Sequence, residues 1–532
     1  MVTTPLPHHA FARAALLAAA ALASCQAAAQ PTPNPSAPPE QYSAVPVPAG
    51  QIDKAVASLD KLADDTMHES GMPGMAIAVV EGDKTVYAKG FGVREEGKPA
   101  KVDADTVFQL ASVSKPVGAT VIAQQVGKKV IDWDTPVVKY LPWFALSDPW
   151  VTQHVTIGDL YAHRSGLPDH IGDSLEAFGF STRQILERLR FVPLAPFRVT
   201  YDYTNFGITA AAHAAAAAAG KDWNDLSQEA IYGPLDMTST SSRYSDFMRR
   251  ADRASSHVKT AHGYKALYTM QPDAQTPAGG VSSSVNDMAK WMSMVLGNGK
   301  YQGKQIVSSQ ALSTAFTPKI STGTPNSMAA RASFYGYGIG VSDQPSGRVQ
   351  LSHSGAFETG AATTVLMIPS LKVGIVILSN AVPTGAVEAL SMEFADLVQY
   401  GHITRDWRTA YSKAMVNILA PSGSLAGQAA PAHPQPALKL DAYAGTYGNE
   451  YFGLVQIAAN NKGKLTLTVG PSKTTFTLTH WDGNRYVFPI GPPLASEGSR
   501  SAVDFGVDEA GLVQTMQVEF FNTDGMGRFT RR

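Results

Sequence analysis

The 532-residue chain has one cysteine, Cys25, so no disulfide can form within it and no metal site can be built on thiolates. An excess of either charge is also missing, with 43 Lys and Arg against 44 Asp and Glu and a formal net charge of −1. That balance supplies neither the basic field of a nucleic-acid binder nor a polybasic face for anionic lipid. The Ala/Leu run at residues 14–23 is only about half the length a bilayer-spanning helix needs. The glycines at 279 and 280 are not followed by Gly-Lys-Ser/Thr, which removes a phosphate loop and with it a nucleotide. What remains is 44% hydrophobic and 16% charged, a globular composition whose length predicts more than one domain.

Residues 1–30 read as an export signal, with His8, His9 and Arg13 ahead of the short apolar run. Two processing sites compete there. Ala27-Ala28-Ala29 suits a signal peptidase, whereas Leu22-Ala23-Ser24-Cys25 resembles the lipobox of bacterial lipoproteins and makes Cys25 a candidate for lipidation. Either places the mature chain outside the cytoplasm, in a bacterial periplasm or tethered to a membrane through Cys25. Residues 31–50, rich in Pro, Ser and Ala, read as an extended linker.

Residues 51–418 carry the first globular pattern. A helix is expected over 52–67, where Val56, Leu59, Leu62 and Met67 recur at helical spacing, followed by a hairpin of 74–80 and 85–90 around Glu81-Gly82-Asp83. The alanine tract 208–219, closed by Gly220, reads as a tightly packed helix. Strands are expected over 351–356 and on both sides of Pro369, then a helix over 387–400, giving a sheet with helices on both faces. Residues 419–437 read as a second linker. From 438 to 532 the texture is short and alternating, with strands at 464–469, 475–479, 485–488 and 516–520, which predicts a small antiparallel β-barrel or sandwich.

The chemistry concentrates in Phe108-Gln109-Leu110-Ala111-Ser112-Val113-Ser114-Lys115. Residues three apart share a helix face, so Ser112 at a helix start would have its hydroxyl beside the Lys115 ammonium and the first-turn N–H groups below it. A serine needs such a neighbour to take its proton, and a lysine can do so only with a lowered pKa. Ser-x-x-Lys alone is common. Here it is followed by Tyr203-Thr204-Asn205 and His353-Ser354-Gly355, in the order and spacing of the serine β-lactamases, penicillin-binding proteins and their esterase and peptidase cousins. The chain resembles that superfamily over about 51–416, and the C-terminal part resembles the lipocalin-like module of CubicO-type hydrolases. His163-Arg164-Ser165-Gly166-Leu167-Pro168 resembles another element of the family, with His163 expected to brace a loop. Pro234-Leu235-Asp236-Met237 resembles a third, with Asp236 where relatives have glycine.

The resemblance implies an α/β (α+β) β-lactamase/transpeptidase-like domain, an antiparallel sheet flanked by helices plus an all-helical region. It implies Ser112 as nucleophile and Lys115 and Tyr203 as the proton-handling pair, either of them able to be the base. Asn205 would hold the substrate amide or the Lys115 head. His353, Gly355 and Ala356 would line the substrate and oxyanion site, the oxyanion sitting between the N–H groups of Ser112 and Ala356. No cofactor, metal or nucleic acid is implied, and the oligomeric state stays open. Histidine at 353, where penicillin-binding proteins carry lysine, turns the expectation from β-lactamase or D-Ala-D-Ala carboxypeptidase toward a peptidase or amidase on short peptides, including those with D- or other non-protein residues, with carboxylesterase as the alternative. A binding or scaffold protein on a dead hydrolase fold would have tolerated loss of these motif residues.

Overall fold

The structure is a computed structural model that describes residues 43–460, 463–522 and 525–532. The export signal and Cys25 lie outside the described residues. The sheet of the large unit has eight antiparallel strands: β1 (Gly74–Glu81), β2 (Lys84–Gly92), β3 (Ile320–Ser321), β4 (Ser333–Tyr335), β5 (Gly340–Asp343), β6 (Val349–Phe357), β7 (Ala361–Ile368) and β8 (Val373–Ser379), in the order β2-β1-β8-β7-β6-β5-β4-β3. The centre of this sheet is apolar on both sides because helices cover both. On β1, Met75, Ile77 and Val79 pack with Leu59 and Leu62 of α1 (Leu59–Ser70). The alternate residues Ala76, Ala78 and Val80 face the opposite core, with Val117 and Val121 of α2 (Ser114–Gly127).

The all-helical region sits on that second face. Its centre is α3 (Asn205–Ala218), where the alanine tract does what its composition predicts and leaves neighbours room to approach closely. Gly220 follows with φ 66, the left-handed cap. Asp236 occupies the turn where relatives carry glycine, with φ 54, so the turn survives the substitution; aspartate enters that region more readily than most residues. α4 (Val285–Leu296) is capped by Ser284 Oγ, which accepts from Asp287 N–H, and α5 (Ala386–Tyr400) closes the first face. The expected helix over 52–67 is broken in two at Ser58, between Gln51–Ala57 and α1.

The C-terminal unit is a closed up-and-down antiparallel barrel of eight strands: β9 (Gly445–Asn449), β10 (Gly453–Ala459), β11 (Leu465–Val469), β12 (Thr474–Asp482), β13 (Arg485–Ile490), β14 (Ser499–Val507), β15 (Val513–Val518) and β16 (Arg528–Arg531). The strand expected at 516–520 ends at Val518 and passes into a tight helical turn. Inward alternation fills the lumen; Leu465, Leu467 and Val469 of β11 are buried beside Phe476, Phe488 and Phe529. The segment 419–437 has no helix or strand, yet it does not hang free. Leu425 packs on the outside of the barrel against Trp481, Val487 and Ala502, and Ser424 N–H donates to Glu519 Oε1 at 2.7 Å.

Candidate active site

Ser112 stands in a tight turn, Ala111–Val113, that runs directly into α2. The residue before it, Ala111, has φ 47, a left-handed conformation costing about 1–3 kcal/mol for a non-glycine residue. Neighbours hold it there: Leu110 N–H donates to Val281 O at 2.9 Å, and Thr363 Oγ1 donates to Leu110 O at 2.7 Å. Gly355 of β6 is bare for a reason. A methyl group on it would stand 2.3 Å from Leu110 O, 2.4 Å from Thr363 Oγ1 and 2.9 Å from Ser112 N, so only glycine lets β6 pass this close to the serine. Ala356, the next residue, is exposed at the mouth.

Lys115 has no exposed surface. Its Nζ lies 2.9 Å from Ser112 Oγ, 2.7 Å from Asn205 Oδ1 and 3.0 Å from the carbonyl oxygen of Ala278. Burial pushes its pKa down to about 7, against the opposing pull of Asp173. Tyr203 Oη donates to Ser112 Oγ at 2.7 Å, and its ring lies 4.5 Å from Lys115 Nζ. Burial moves the phenol above its ordinary range, although the bond to Ser112 works the other way. The two groups that sequence leaves equivalent are thus parted by their surroundings. Ser114, the other nearby hydroxyl, points away and accepts from Val281 N–H.

The loop presenting Tyr203 is held from several sides. His163, buried and with φ 56, accepts Thr204 N–H on Nδ1 at 3.0 Å, His170 N–H donates to Tyr203 O at 2.8 Å, and Arg198 and Arg164 both bind the buried Asp159. His163 is therefore a brace, as the sequence suggests. Asn205 uses both ends of its amide inside the protein: Oδ1 takes Lys115, and Nδ2 donates to Asp173 Oδ2 at 2.9 Å. Of its two expected tasks, holding the Lys115 head is the one visible in the geometry. His353 is likewise engaged, with Nδ1 bonded to Ser354 O at 2.7 Å and Nε2 accepting from Tyr335 Oη at 2.8 Å. Burial and the nearby Lys115 charge push it down to about 3, so it is neutral throughout the physiological range.

Ser112, Lys115, Tyr203 and Asn205 are thus joined by direct hydrogen bonds, and Gly355 touches the same turn. Sequence reasoning missed Asp173, Tyr335 and the Ala278 carbonyl. His170 and Asp173, three apart just past the His-x-Ser-Gly-Leu-Pro element, were the only available hint.

A serine hydroxyl bonded to a buried amine of lowered pKa and to a phenol, set between an antiparallel sheet and a helical region, defines a serine hydrolase of the β-lactamase and penicillin-binding-protein-like class. The chain belongs to the Beta-lactamase family, whose family model matches residues 59–398. Residues 429–529 match a second family, described as a Domain of unknown function (DUF3471). The chain is 25% identical over 501 residues to unguisins hydrolase ungD of Aspergillus violaceofuscus, covering 84% of this chain and 85% of that protein. It is 26% identical over 355 residues to the D-alanyl-D-alanine-carboxypeptidase/endopeptidase AmpH of Escherichia coli, covering 64% of this chain and 88% of that one. The octameric penicillin-binding protein homologue from Pyrococcus abyssi shares the fold, with TM-score 0.58 and 19% identity over 90% of this chain and 100% of that chain.

Proposed function

We propose that the chain hydrolyses amide bonds in short peptides, including peptides with D- or other non-protein residues, through an acyl-enzyme on Ser112. The observation that carries this is the setting of the Lys115 amine. In its neutral form Nζ has two N–H groups and one lone pair. Asn205 Oδ1 and Ala278 O are acceptors without a proton to give, so they take the two N–H groups and leave the lone pair for the Ser112 hydroxyl. Lys115 then removes the Ser112 proton as Oγ bonds to the substrate carbonyl carbon. The N–H groups of Ser112 and Ala356 receive the oxyanion, a donor pair worth roughly 10² to 10³ in rate per member. As the C–N bond breaks, the Tyr203 hydroxyl gives its proton to the leaving nitrogen, and the Lys115 ammonium restores it. Water then attacks the acyl carbon and yields its proton to Lys115, and Ser112 Oγ leaves with a proton to regenerate the hydroxyl.

The neutral, internally bonded His353 offers no fixed charge for a substrate carboxylate, which argues against penicillin-like ligands and for uncharged groups at that end. Similarity over 355 residues to a protein named as a carboxypeptidase/endopeptidase supports a peptide substrate. The test is the intact mass of the protein after mixing with a fluorophosphonate, a penicillin, and panels of short peptides and esters. An adduct at Ser112 with peptide turnover is expected; turnover of esters alone makes the chain a carboxylesterase. Residues 1–30 carry an export signal in the same proposal, so a cytoplasmic form starting at Met1 in the source cell would refute it.

A further inference from the structure

Asp173, the acid whose charge acts on Lys115, belongs to residues 170–180, a segment with one short helix, Asp173–Ala177, in which Ile171, Leu175, Phe178 and Phe180 are buried. The C-terminal barrel holds this segment at two points. Phe178 has no exposed surface and drives its ring into the end of the barrel, 5.1 Å from Phe521, 6.3 Å from Phe452 and 6.4 Å from Phe476. Beside it, Ser472 N–H donates to Phe178 O at 3.1 Å, and a methyl group on Gly470 would stand 2.5 Å from that oxygen. At the other end of the short helix, Gly172 N–H donates to Tyr451 Oη at 3.0 Å in a buried bond. Asp173 follows Gly172 directly, and its Oδ2 accepts from both Asn205 Nδ2 and His170 Nδ1. Asn205 in turn receives Lys115 Nζ.

We propose that Tyr451 and Phe178 are positioning residues for the Ser112 chemistry, and that through them the barrel sets the place of Asp173, Asn205 and the Lys115 amine. The C-terminal unit is then a working wall of the site and not an independent appendage. The proposal rests on the reading of Lys115 as the base. The groups facing Lys115 are Ser112, Tyr203, Asn205, Asp173, His163, His170 and His353. Of these, Asp173 is the anion that favours the ammonium. Removing or displacing its charge therefore lowers the Lys115 pKa and moves the acid limb of the rate profile to lower pH.

The experiment uses the full chain and measures the rate of Ser112 phosphonylation by a fluorophosphonate, which forms the Oγ–P bond as fluoride leaves, across pH, with thermal melting alongside. The variants are Tyr451→Phe, Phe178→Leu, Asp173→Asn, and Tyr451→Phe combined with Asp173→Asn. Tyr451→Phe and Phe178→Leu are expected to lower the plateau rate about tenfold and to shift the acid limb in the direction that Asp173→Asn shifts it. In the Asp173→Asn background, Tyr451→Phe is expected to change the rate by less than about twofold, because both act through one carboxylate. A Tyr451→Phe protein that melts earlier yet keeps the wild-type plateau and limb overturns the proposal, as do losses that simply multiply in the double variant. Failure of the underlying mechanism reads differently: the wild-type labelling rate then runs level to pH 5 with no acid limb, or Ser112 takes no label at any pH, and the proposal falls with it.

Discussion

The floor of the Ser112 cleft and the lumen of the barrel are both closed to water, but they are made of opposite materials. Around Lys115 the contacts are few, directional and polar, with one amine bonded to a hydroxyl, an amide and a backbone carbonyl. In the barrel they are many and undirected: Phe476 and Phe488 rings lie 4.4 Å apart, and Tyr443 and Phe505 lie 4.8 Å apart. A buried polar network loses its function abruptly, because each member fixes the position and protonation state of the next. Packed rings fail gradually, by the volume removed. Substitutions in the cleft should therefore be read in rates, and substitutions in the barrel lumen in stability.

The largest effect that separates the two regions is Ser112→Ala. Turnover should fall by about 10⁴ or more while the melting temperature stays near wild type, since the half-buried hydroxyl contributes little to packing. Full turnover in a folded, uncontaminated preparation would remove the nucleophile. Next comes Tyr203→Phe, which keeps the ring over Lys115 and deletes the hydroxyl that donates to Ser112 Oγ. A loss of about 10² in kcat is expected, the scale of general acid catalysis. A larger change in KM than in kcat would make Tyr203 a binding group.

The pH profile is the third and smaller lever. Lys115 must be neutral to accept a proton, and burial holds its pKa near 7. So kcat/KM should rise about tenfold per pH unit below 7 and level off above it. Tyr203, shifted upward, stays protonated across that range and adds no fall on the alkaline side below about pH 10. A plateau extending unbroken to pH 5 would exclude Lys115 as the base.

The same contrast explains what could be read from the sequence. Ser112, Lys115, Tyr203 and Asn205 were legible because helix geometry puts a serine and a lysine three apart on one face, and because their companions recur in a known order. The central strands β1, β7 and β8 announced themselves as apolar runs, being covered on both faces. Tyr335 did not, because its strand, Ser333–Tyr335, is too short to show alternation. Ala278 acts through its carbonyl, which every residue has. Asp173 reaches Asn205 only through the tertiary fold. Three of the eight barrel strands were hidden for a different reason: Gly445, Gly448 and Gly453 dilute the signal of β9 and β10, and β16 is a four-residue strand with arginine at each end. Composition reads the segment 419–437 as a linker because it weighs a single anchoring leucine, Leu425, at almost nothing.

The smallest expected effect on rate is the most informative about the barrel. Phe505 of β14 packs against Tyr443, Tyr447 and Tyr486, a separate ring group from the one that receives Phe178. Truncation by Phe505→Ala removes a buried ring and leaves a cavity, which typically costs about 3–5 kcal/mol. None of the contacts that hold Gly172, Asp173 or Phe178 involves Phe505, so turnover per folded molecule should stay within about twofold of wild type. The measurement is a denaturant titration followed by barrel tryptophan and tyrosine emission, run beside active-site titration of the surviving fold. Wild-type stability would mean that the lumen relaxes around the gap and that ring packing holds the barrel less firmly than its burial suggests. A loss of rate in fully folded protein would mean that strain travels the length of the barrel to the Phe178 end, and the two materials would no longer be separable.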